Sequence, residues 1–429
     1  MNILLLGAGG REHAFAQKIS KSAHCEKLYI APGNPGTAQF GENISISVND
    51  FDAIGAFCKA KNIQLLVVGP EDPLVNGIFD YFKSDIELSN IIVVGPSAAG
   101  AQLEGSKAFA KGFMERHSIP TAAYREFTQS NFQEGVSYLK NHSLPIVLKA
   151  DGLAAGKGVV IAQTLEEALH TFEEMIQLSR FGKAGERVVV ESFLTGVELS
   201  VFALTDGEKY ILLPEAKDYK RIGKGDTGPN TGGMGAISPV PFADNVFMDK
   251  VIKQVVEPTI KGIAEEGLIY HGFVFFGLIK VEGEPFVIEY NCRMGDPETE
   301  VVMPRLTSDL VELFLAMAQG KLENGLIETD KRAAATVVLV SGGYPGEFEK
   351  GKVISGLNEA SGTQTMAFHA GTMEKEGNYF TNGGRVAAIT SFGGSIQEAV
   401  STSLAKIKSI HFEKMDFRED IGFEFPGKF

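Results

Sequence analysis

The feature that most constrains this chain is the alternation of hydrophobic rhythms in its first hundred residues. Asn2-Ile3-Leu4-Leu5-Leu6 is a short apolar run that ends in Gly7-Ala8-Gly9-Gly10 and passes directly into an amphipathic stretch at 11–20. The unit recurs, with strand-like runs at 27–30, 65–68 and 91–94 and helical patterns at 51–61 and 74–82. Strands alternating with helices at this spacing predict a doubly wound, mainly parallel sheet. Its loops fall at strand ends, where such sheets hold ligands. They are Gly7-Ala8-Gly9-Gly10, Ala31-Pro32-Gly33-Asn34-Pro35-Gly36, Gly69-Pro70-Glu71 and Gly95-Pro96-Ser97.

A chain of 429 residues outgrows one ordinary core, so several domains are expected. Residues 1–105 form the first, an α/β unit. Residues 106–325 are richer in strand patterns, at 145–150, 187–191, 197–204, 273–280 and 286–290. They also hold a helical pattern at 165–177, which opens with Thr164-Leu165-Glu166-Glu167, a capping-box signature. The stretch 218–241 is rich in glycine and lacks periodicity, which predicts a long functional loop. Residues 326–429 read as a small α+β domain, with a strand at 334–340 and a final helix at 395–408.

Composition removes some classes of function. The formal net charge of −14 argues against a generic nucleic-acid binder, which needs a basic face. Three cysteines with no CxxC pair favour a reducing compartment over a disulfide framework. No signal-like n-region and no run of about 18 apolar residues is present. A cytoplasmic protein with no membrane partner is expected.

Four segments carry chemistry. Gly7-Ala8-Gly9-Gly10-Arg11-Glu12 follows a strand and opens a helix, so its N–H groups can cradle a phosphate. A nicotinamide fingerprint would place a third Gly at Glu12 and an acid after the second strand, which here ends in Ile30-Ala31-Pro32. Lys149-Ala150-Asp151-Gly152-Leu153-Ala154-Ala155-Gly156-Lys157-Gly158 suits a hairpin folded over a triphosphate, with Lys149 and Lys157 offsetting charge. It is no Walker loop, because Gly158 follows Lys157. Glu191-Ser192-Phe193-Leu194 and Glu198 suggest a strand and bend that present backbone to adenine and leave a carboxylate for ribose. In Glu289-Tyr290-Asn291, strand alternation puts the two oxygen ligands on one face, which suits Mg²⁺ bridging phosphates. Arg293, two residues on, is placed to hold a carboxylate or a transferring phosphoryl group. Each segment also has a bland reading, a ligand-free turn, an exposed hairpin or a solvated edge strand.

In order and spacing these segments resemble the ATP-grasp superfamily. More narrowly, four blocks resemble the phosphoribosylamine–glycine ligase family: Gly7-x-Gly9-Gly10-Arg11-Glu12-His13, the Lys149–Gly158 block, Asp226-Thr227-Gly228-Pro229-Asn230-Thr231-Gly232-Gly233-Met234-Gly235 and Asn291-Cys292-Arg293-Met294-Gly295-Asp296-Pro297-Glu298-Thr299. Pro32-Gly33-Asn34-Pro35-Gly36-Thr37 and Thr381-Asn382-Gly383-Gly384-Arg385-Val386 extend the likeness along the chain. One block departs. Where many members read Gln-Asp-His-Lys-Arg, this chain reads Lys217-Asp218-Tyr219-Lys220-Arg221, which argues against an essential imidazole at Tyr219. Some members are fused to later enzymes of the pathway, for which a chain ending at Phe429 leaves no room.

The resemblance implies a pre-ATP-grasp Rossmann-like domain, an ATP-grasp domain whose lid spans about 120–190, and a small C-terminal domain. It implies a monomer that ligates glycine to 5-phosphoribosylamine with ATP as co-substrate and Mg²⁺ or Mn²⁺ as metal. The implied catalytic residues are Arg293, Lys149 and Asp218, with Glu289 and Asn291 on the metal. ATP would lie on Lys107, Lys149, Gly156, Lys157, Glu191, Phe193, Leu194 and Glu198. Glycine and the sugar amine would lie on Gly9, Gly10, Pro70, Glu71, Lys220, Asn230, Gly232, Arg293, Asp296, Pro297 and Glu298. Rival readings are another ATP-grasp carboxylate–amine ligase, a bicarbonate-using carboxylase-type enzyme, and a nicotinamide oxidoreductase.

Overall fold

Residues 1–153, 158–178 and 185–425 are described by a computed structural model of the chain. The N-terminal apolar runs become strands buried on both faces. Leu4 and Leu6 pack into one core and Ile3 and Leu5 into another. That is why these runs are continuously apolar instead of alternating. Strands Glu42–Asn43, Lys27–Pro32, Asn2–Gly7, Ile63–Val68 and Ile92–Pro96 lie side by side in that order, all parallel.

This sheet does not stop at the domain edge expected from the sequence. Tyr270–Val281 joins it antiparallel, through Tyr270 opposite Pro96 and His271 opposite Gly95. Val197–Thr205, Tyr210–Leu212 and Glu284–Asn291 complete nine strands. The floor of the candidate site is therefore one piece with the N-terminal sheet. The helix expected at 74–82 is two helices, Glu71–Val75 and Ile78–Ser84. Gly77 sits at φ +87° between them, a left-handed backbone that breaks the run and that favours glycine.

A second, four-stranded antiparallel sheet, Tyr124–Thr128, Arg187–Ser192, Ile146–Ala150 and Val159–Ala162, carries its own core around Phe127 and Phe172. Its helix Leu165–Ile176 starts on Thr164, whose hydroxyl accepts the Glu167 N–H at 3.1 Å. The reciprocal half of the capping box is shifted by one residue. Glu167 Oε2 accepts from Gln163 N–H at 2.8 Å, not from Thr164.

The stretch 218–241, expected as a loop, holds several short strands. Arg221–Gly223 and Thr227–Asn230 form a two-stranded ribbon turned at Gly225 (φ +64°) and Asp226 (φ +55°). Lys217–Asp218 and Gly235–Ser238 enter a five-stranded sheet with Ala333–Val340, Arg385–Gly393 and Thr365–His369. Glycine had masked the strands by removing the side chains on which periodicity depends. The helix Ile396–Ile407 covers this sheet, capped by Ser395, whose hydroxyl accepts Glu398 N–H at 3.2 Å. No helix among the described residues is long and apolar enough to cross a membrane.

Candidate active site

A cavity of about 530 Å³ lies where the nine-stranded sheet, the four-stranded sheet and the C-terminal domain meet. Thirteen residues singled out in the sequence line it: Pro70, Glu71, Lys107, Lys149, Glu191, Asp218, Lys220, Gly232, Glu289, Asn291, Arg293, Asp296 and Glu298. They come from more than 200 positions of chain, so only the fold brings them together.

One wall is cationic. Helix Lys107–Arg116 starts on Ser106, whose hydroxyl accepts Phe109 N–H at 3.0 Å. Asp151, from the Gly-rich hairpin, accepts from Ser106 Oγ at 3.0 Å and Ala108 N–H at 3.2 Å, which ties the hairpin root to that helix. Lys107 Nζ donates to Gly152 O at 3.0 Å. Lys111, one turn on, lies 3.2 Å from Glu191 Oε2 and donates to Thr121 Oγ1 at 2.7 Å. Lys149 lies 2.9 Å from Glu191 Oε1 and donates to Ile288 O at 3.1 Å. Two ammonium groups thus share one carboxylate, with a third, that of Lys107, beside them. Burial pushes Lys107 down, with Lys149 adding repulsion, and pushes Lys111 down to about 8 even though Glu191 partly offsets it. A buried excess of positive charge is a site for an anion.

One expectation is extended here and one changes. Lys149, expected to offset phosphate charge, is also held by Glu191. Glu191 in turn is no free carboxylate for a ribose; it is gripped by two lysines. Gly156 and Lys157 lie outside the described residues.

The opposite wall is anionic. Glu289 and Asn291 share a face of Glu284–Asn291, opposite Gly277 and Phe275, while Tyr290 between them is buried behind. A hydrogen on Gly277 leaves room for Glu289; a Cβ there would stand 3.1 Å from Glu289 Cγ. Lys220 lies 2.9 Å from Glu198 Oε2 and 3.8 Å from Asp218 Oδ2. Desolvation opposes its charge, yet Asp218, Glu198 and Glu289 together hold its ammonium well above the usual range. Burial, reinforced by Glu198 and Glu289, raises Asp218. Glu298, which accepts from Ser200 Oγ at 3.0 Å, is pushed up to about 7 by burial and by Asp218. Lys220 instead holds Glu198 below its usual value.

Between the walls stands Arg293, fixed by Glu104 at 2.8 Å and Glu71 at 3.2 Å. Glu104 Oε2 also accepts from Cys292 N–H at 2.8 Å and lies 3.2 Å from its thiol, so Cys292 is packed and occupied. Burial opposes ionisation of Glu71, but Arg293 and Arg11 outweigh it and hold its carboxyl low.

Among the described residues, no group of three or more His, Cys, Asp and Glu is placed to hold a metal. The donor set present is one carboxylate and one amide oxygen on a common strand face. It fits a hard cation that takes most of its ligands from phosphates and water.

Phe193, Leu194, Glu198, Gly9, Gly10, Asn230 and Pro297 lie outside the lining. Phe193 is exposed, and Asn230 is exposed in the ribbon. Gly9 N–H already donates to Glu12 Oε2 at 2.6 Å, and a Cβ on Gly9 would stand 3.1 Å from Asp296 Oδ2. Pro297 packs where a Cβ on Gly233 would fall.

Sequence reasoning assigned no role to four charged residues of the lining: Arg11, Glu104, Lys111 and Arg385. Arg385 reaches in from the C-terminal domain. It donates to Asp296 O at 2.6 Å and Gly232 O at 2.7 Å, and pairs with Asp296 Oδ1 at 3.1 Å. Its block had been noticed as a motif but given no role.

Comparison with known proteins shows the family. The N domain of phosphoribosylglycinamide synthetase matches residues 1–104, its ATP-grasp (A) domain 105–299 and its C domain 334–424. The chain belongs to the phosphoribosylglycinamide synthetase family. Among its relatives, the phosphoribosylamine–glycine ligase of Vibrio vulnificus (strain CMCP6) is 48% identical over 426 residues, covering 99% of this chain and 98% of the relative. The crystal structure of phosphoribosylamine–glycine ligase from Thermotoga maritima is 35% identical with a TM-score of 0.84, covering 98% of this chain and all of that one. The biotin carboxylase of Campylobacter jejuni, at 14% identity and a TM-score of 0.75 over 99% of this chain and 94% of its own, shares the fold alone. In this synthetase family setting, the two charged walls belong to an ATP-grasp ligase.

Proposed function

We propose that the chain joins glycine to 5-phosphoribosylamine with ATP, through glycyl phosphate, giving glycinamide ribonucleotide, ADP and phosphate in purine biosynthesis. The observation that carries the residue-level reading is the division of one cavity into a cationic and an anionic wall with Arg293 between them. A carboxylate is a poor electrophile, so glycine must become an acyl phosphate before an amine can displace oxygen. Glycine's carboxylate oxygen attacks the γ-phosphorus and ADP leaves. The amine nitrogen then attacks the glycyl carbonyl carbon, phosphate leaves, and the nitrogen loses a proton.

Lys107, Lys111 and Lys149 hold the nucleotide phosphates. Arg293, oriented by Glu71 and Glu104, faces the group being transferred, so catalysis is positioning plus electrostatic stabilisation. Glu289 and Asn291 hold Mg²⁺ or Mn²⁺, which when bound supplies charge neutralisation on the phosphates. Asp218, Lys220, Glu298 and Asp296 form the side on which glycine and the sugar amine lie, near Pro70, Glu71 and Gly232. The four-stranded unit within about 120–190 serves as the lid.

ADP release, measured with glycine and freshly generated phosphoribosylamine and with each omitted in turn, tests this reading. Release that needs both substrates supports it. Release driven by bicarbonate without glycine would replace it with a carboxylase-type reaction.

A further inference from the structure

The segment 217–220, which opens as the strand Lys217–Asp218 and carries Asp218 and Lys220 into the cavity, has a second face. Lys217 and Tyr219 alternate with them and point away, into the C-terminal domain. Tyr219 is buried, and its hydroxyl donates to Glu424 Oε2 at 3.0 Å. Lys217 lies 2.9 Å from Glu424 Oε1, and its ammonium sits 4.1 Å from the centre of the Tyr219 ring. One carboxylate therefore grips both outward residues, one on each oxygen. Burial, aided by Glu424, raises the Tyr219 hydroxyl, which keeps it a donor.

The same C-terminal segment holds the ribbon at a second point. Arg418, 1% exposed, is clasped by both oxygens of Asp420 at 2.9 Å. Its remaining nitrogen donates to Asp226 Oδ1 at 2.6 Å and Arg221 O at 3.2 Å. Asp420 Oδ2 also accepts Gly225 N–H at 2.7 Å. Asp218 and Lys220 thus sit between two anchors, Glu424 on one side and Arg418–Asp420 on the other. Neither anchor touches the cavity.

We infer that Glu424 is a positioning residue for the glycine and sugar-amine side of the site, acting through Lys217 and Tyr219 on Asp218 and Lys220. Backbone pairing with 231–237 holds the main chain of this segment, but it leaves the setting of the side chains to their own partners. A partly buried carboxylate with both oxygens engaged specifies one arrangement, and removing it leaves the buried Lys217 ammonium and Tyr219 hydroxyl without their partner. The inference rests on the proposed reading of the anionic wall.

The test is steady-state kinetics of Glu424→Ala, Glu424→Gln and Tyr219→Phe, assayed well below their melting temperatures. Displacement of a positioning strand by a fraction of an ångström to 1 Å costs on the order of tenfold to a hundredfold. In Glu424→Ala, kcat/KM for phosphoribosylamine and glycine should fall by about tenfold or more, while the KM for ATP moves by less than about twofold. Glu424→Gln keeps an acceptor for Tyr219 and should recover part of the loss. Tyr219→Phe, which preserves the packed ring, should fall between them and covers the case in which Glu424→Ala does not fold. Ser403→Ala is the control, since Ser403 Oγ donates to Ala335 O at 3.1 Å in the same domain, away from the ribbon. It should lower melting temperature without changing the ratio of the two kinetic constants. Glu424 and Tyr219 variants that behave like Ser403→Ala, losing stability with unchanged kcat/KM for both substrates, would overturn the inference. A wild-type enzyme that releases no ADP with glycine and phosphoribosylamine would overturn the functional reading instead.

Discussion

Lys111 offers a sharp separation of charge kept for a ligand from charge kept for the fold. Its ammonium is buried, and burial depresses it to about 8 from an ordinary 10.5. That depression is a cost of about 3 kcal/mol carried by the folded state near neutral pH. In Lys111→Met the stem is replaced by a chain of similar volume and the cost disappears. Little is orphaned, since Glu191 keeps Lys149 at 2.9 Å and Thr121 Oγ1 still donates to Val287 O at 2.7 Å. The lost hydrogen bond to Thr121 returns about 1 kcal/mol. The variant should therefore be more stable by about 1–2 kcal/mol, because Lys149 still compensates the Glu191 charge that would otherwise be left buried and unpaired. Activity should move the other way. A cation lost from a wall that must meet a triphosphate is worth about 1.5–3 kcal/mol, so KM for ATP should rise at least about tenfold. The pH dependence has a definite sign. A folded-state value below the unfolded one adds stability above the unfolded value and loses it as pH falls through the folded value. The stability gap between variant and wild type should thus be full below about pH 8 and close by about pH 10.5. Thermal melts across pH 7–10 and initial rates against ATP provide the assay. A variant that melts several degrees lower with unchanged KM for ATP would refute the reasoning and make Lys111 a structural counter-ion.

Glu289→Gln should leave the fold intact and lower turnover by on the order of 10²–10³, the usual loss for one electrostatic element; near-normal rates at limiting Mg²⁺ would remove Glu289 from the metal site. Gly9→Asp places a carboxylate against Glu12 and Asp296, so KM for phosphoribosylamine should rise while KM for ATP holds. A fall in ATP affinity alone would move the nucleotide to the N-terminal domain. Gly77→Ala makes only ordinary contacts, its nearest neighbour being Ala98 Cβ at 3.5 Å, so only backbone strain at φ +87° remains. A loss of about 1–2 kcal/mol is expected in thermal melts, and no loss would mean the two flanking helices had merged at no cost.

What the sequence made legible, and what it hid, follows from the range of each physical signal. Strands buried on both faces announce themselves locally, because Ile3, Leu4, Leu5 and Leu6 must all be apolar wherever the rest of the chain lies. The pairing of Glu289 with Asn291 was equally local, since a two-residue period fixes which side chains share a face. Other features depend on partners far away in sequence. Nothing near residue 385 says that its guanidinium closes on Asp296 and Gly232, and nothing near 218–241 says that its strands pair with 333–340. Lys111 stands between these cases. Its spacing of four from Lys107 on a capped helix puts both ammonium groups on one face, a signal available from the sequence. What the spacing lacked was a reason to bury that face. The reason is Glu191, eighty residues on, brought beneath the helix when Arg187–Ser192 pairs with both Tyr124–Thr128 and Ile146–Ala150. A helix face carrying two lysines reads as solvent-facing until a carboxylate and a cavity are known to lie under it. Functional charge in a buried wall is thus found by asking which cations the fold desolvates, a question that local spacing can raise but only long-range pairing can answer.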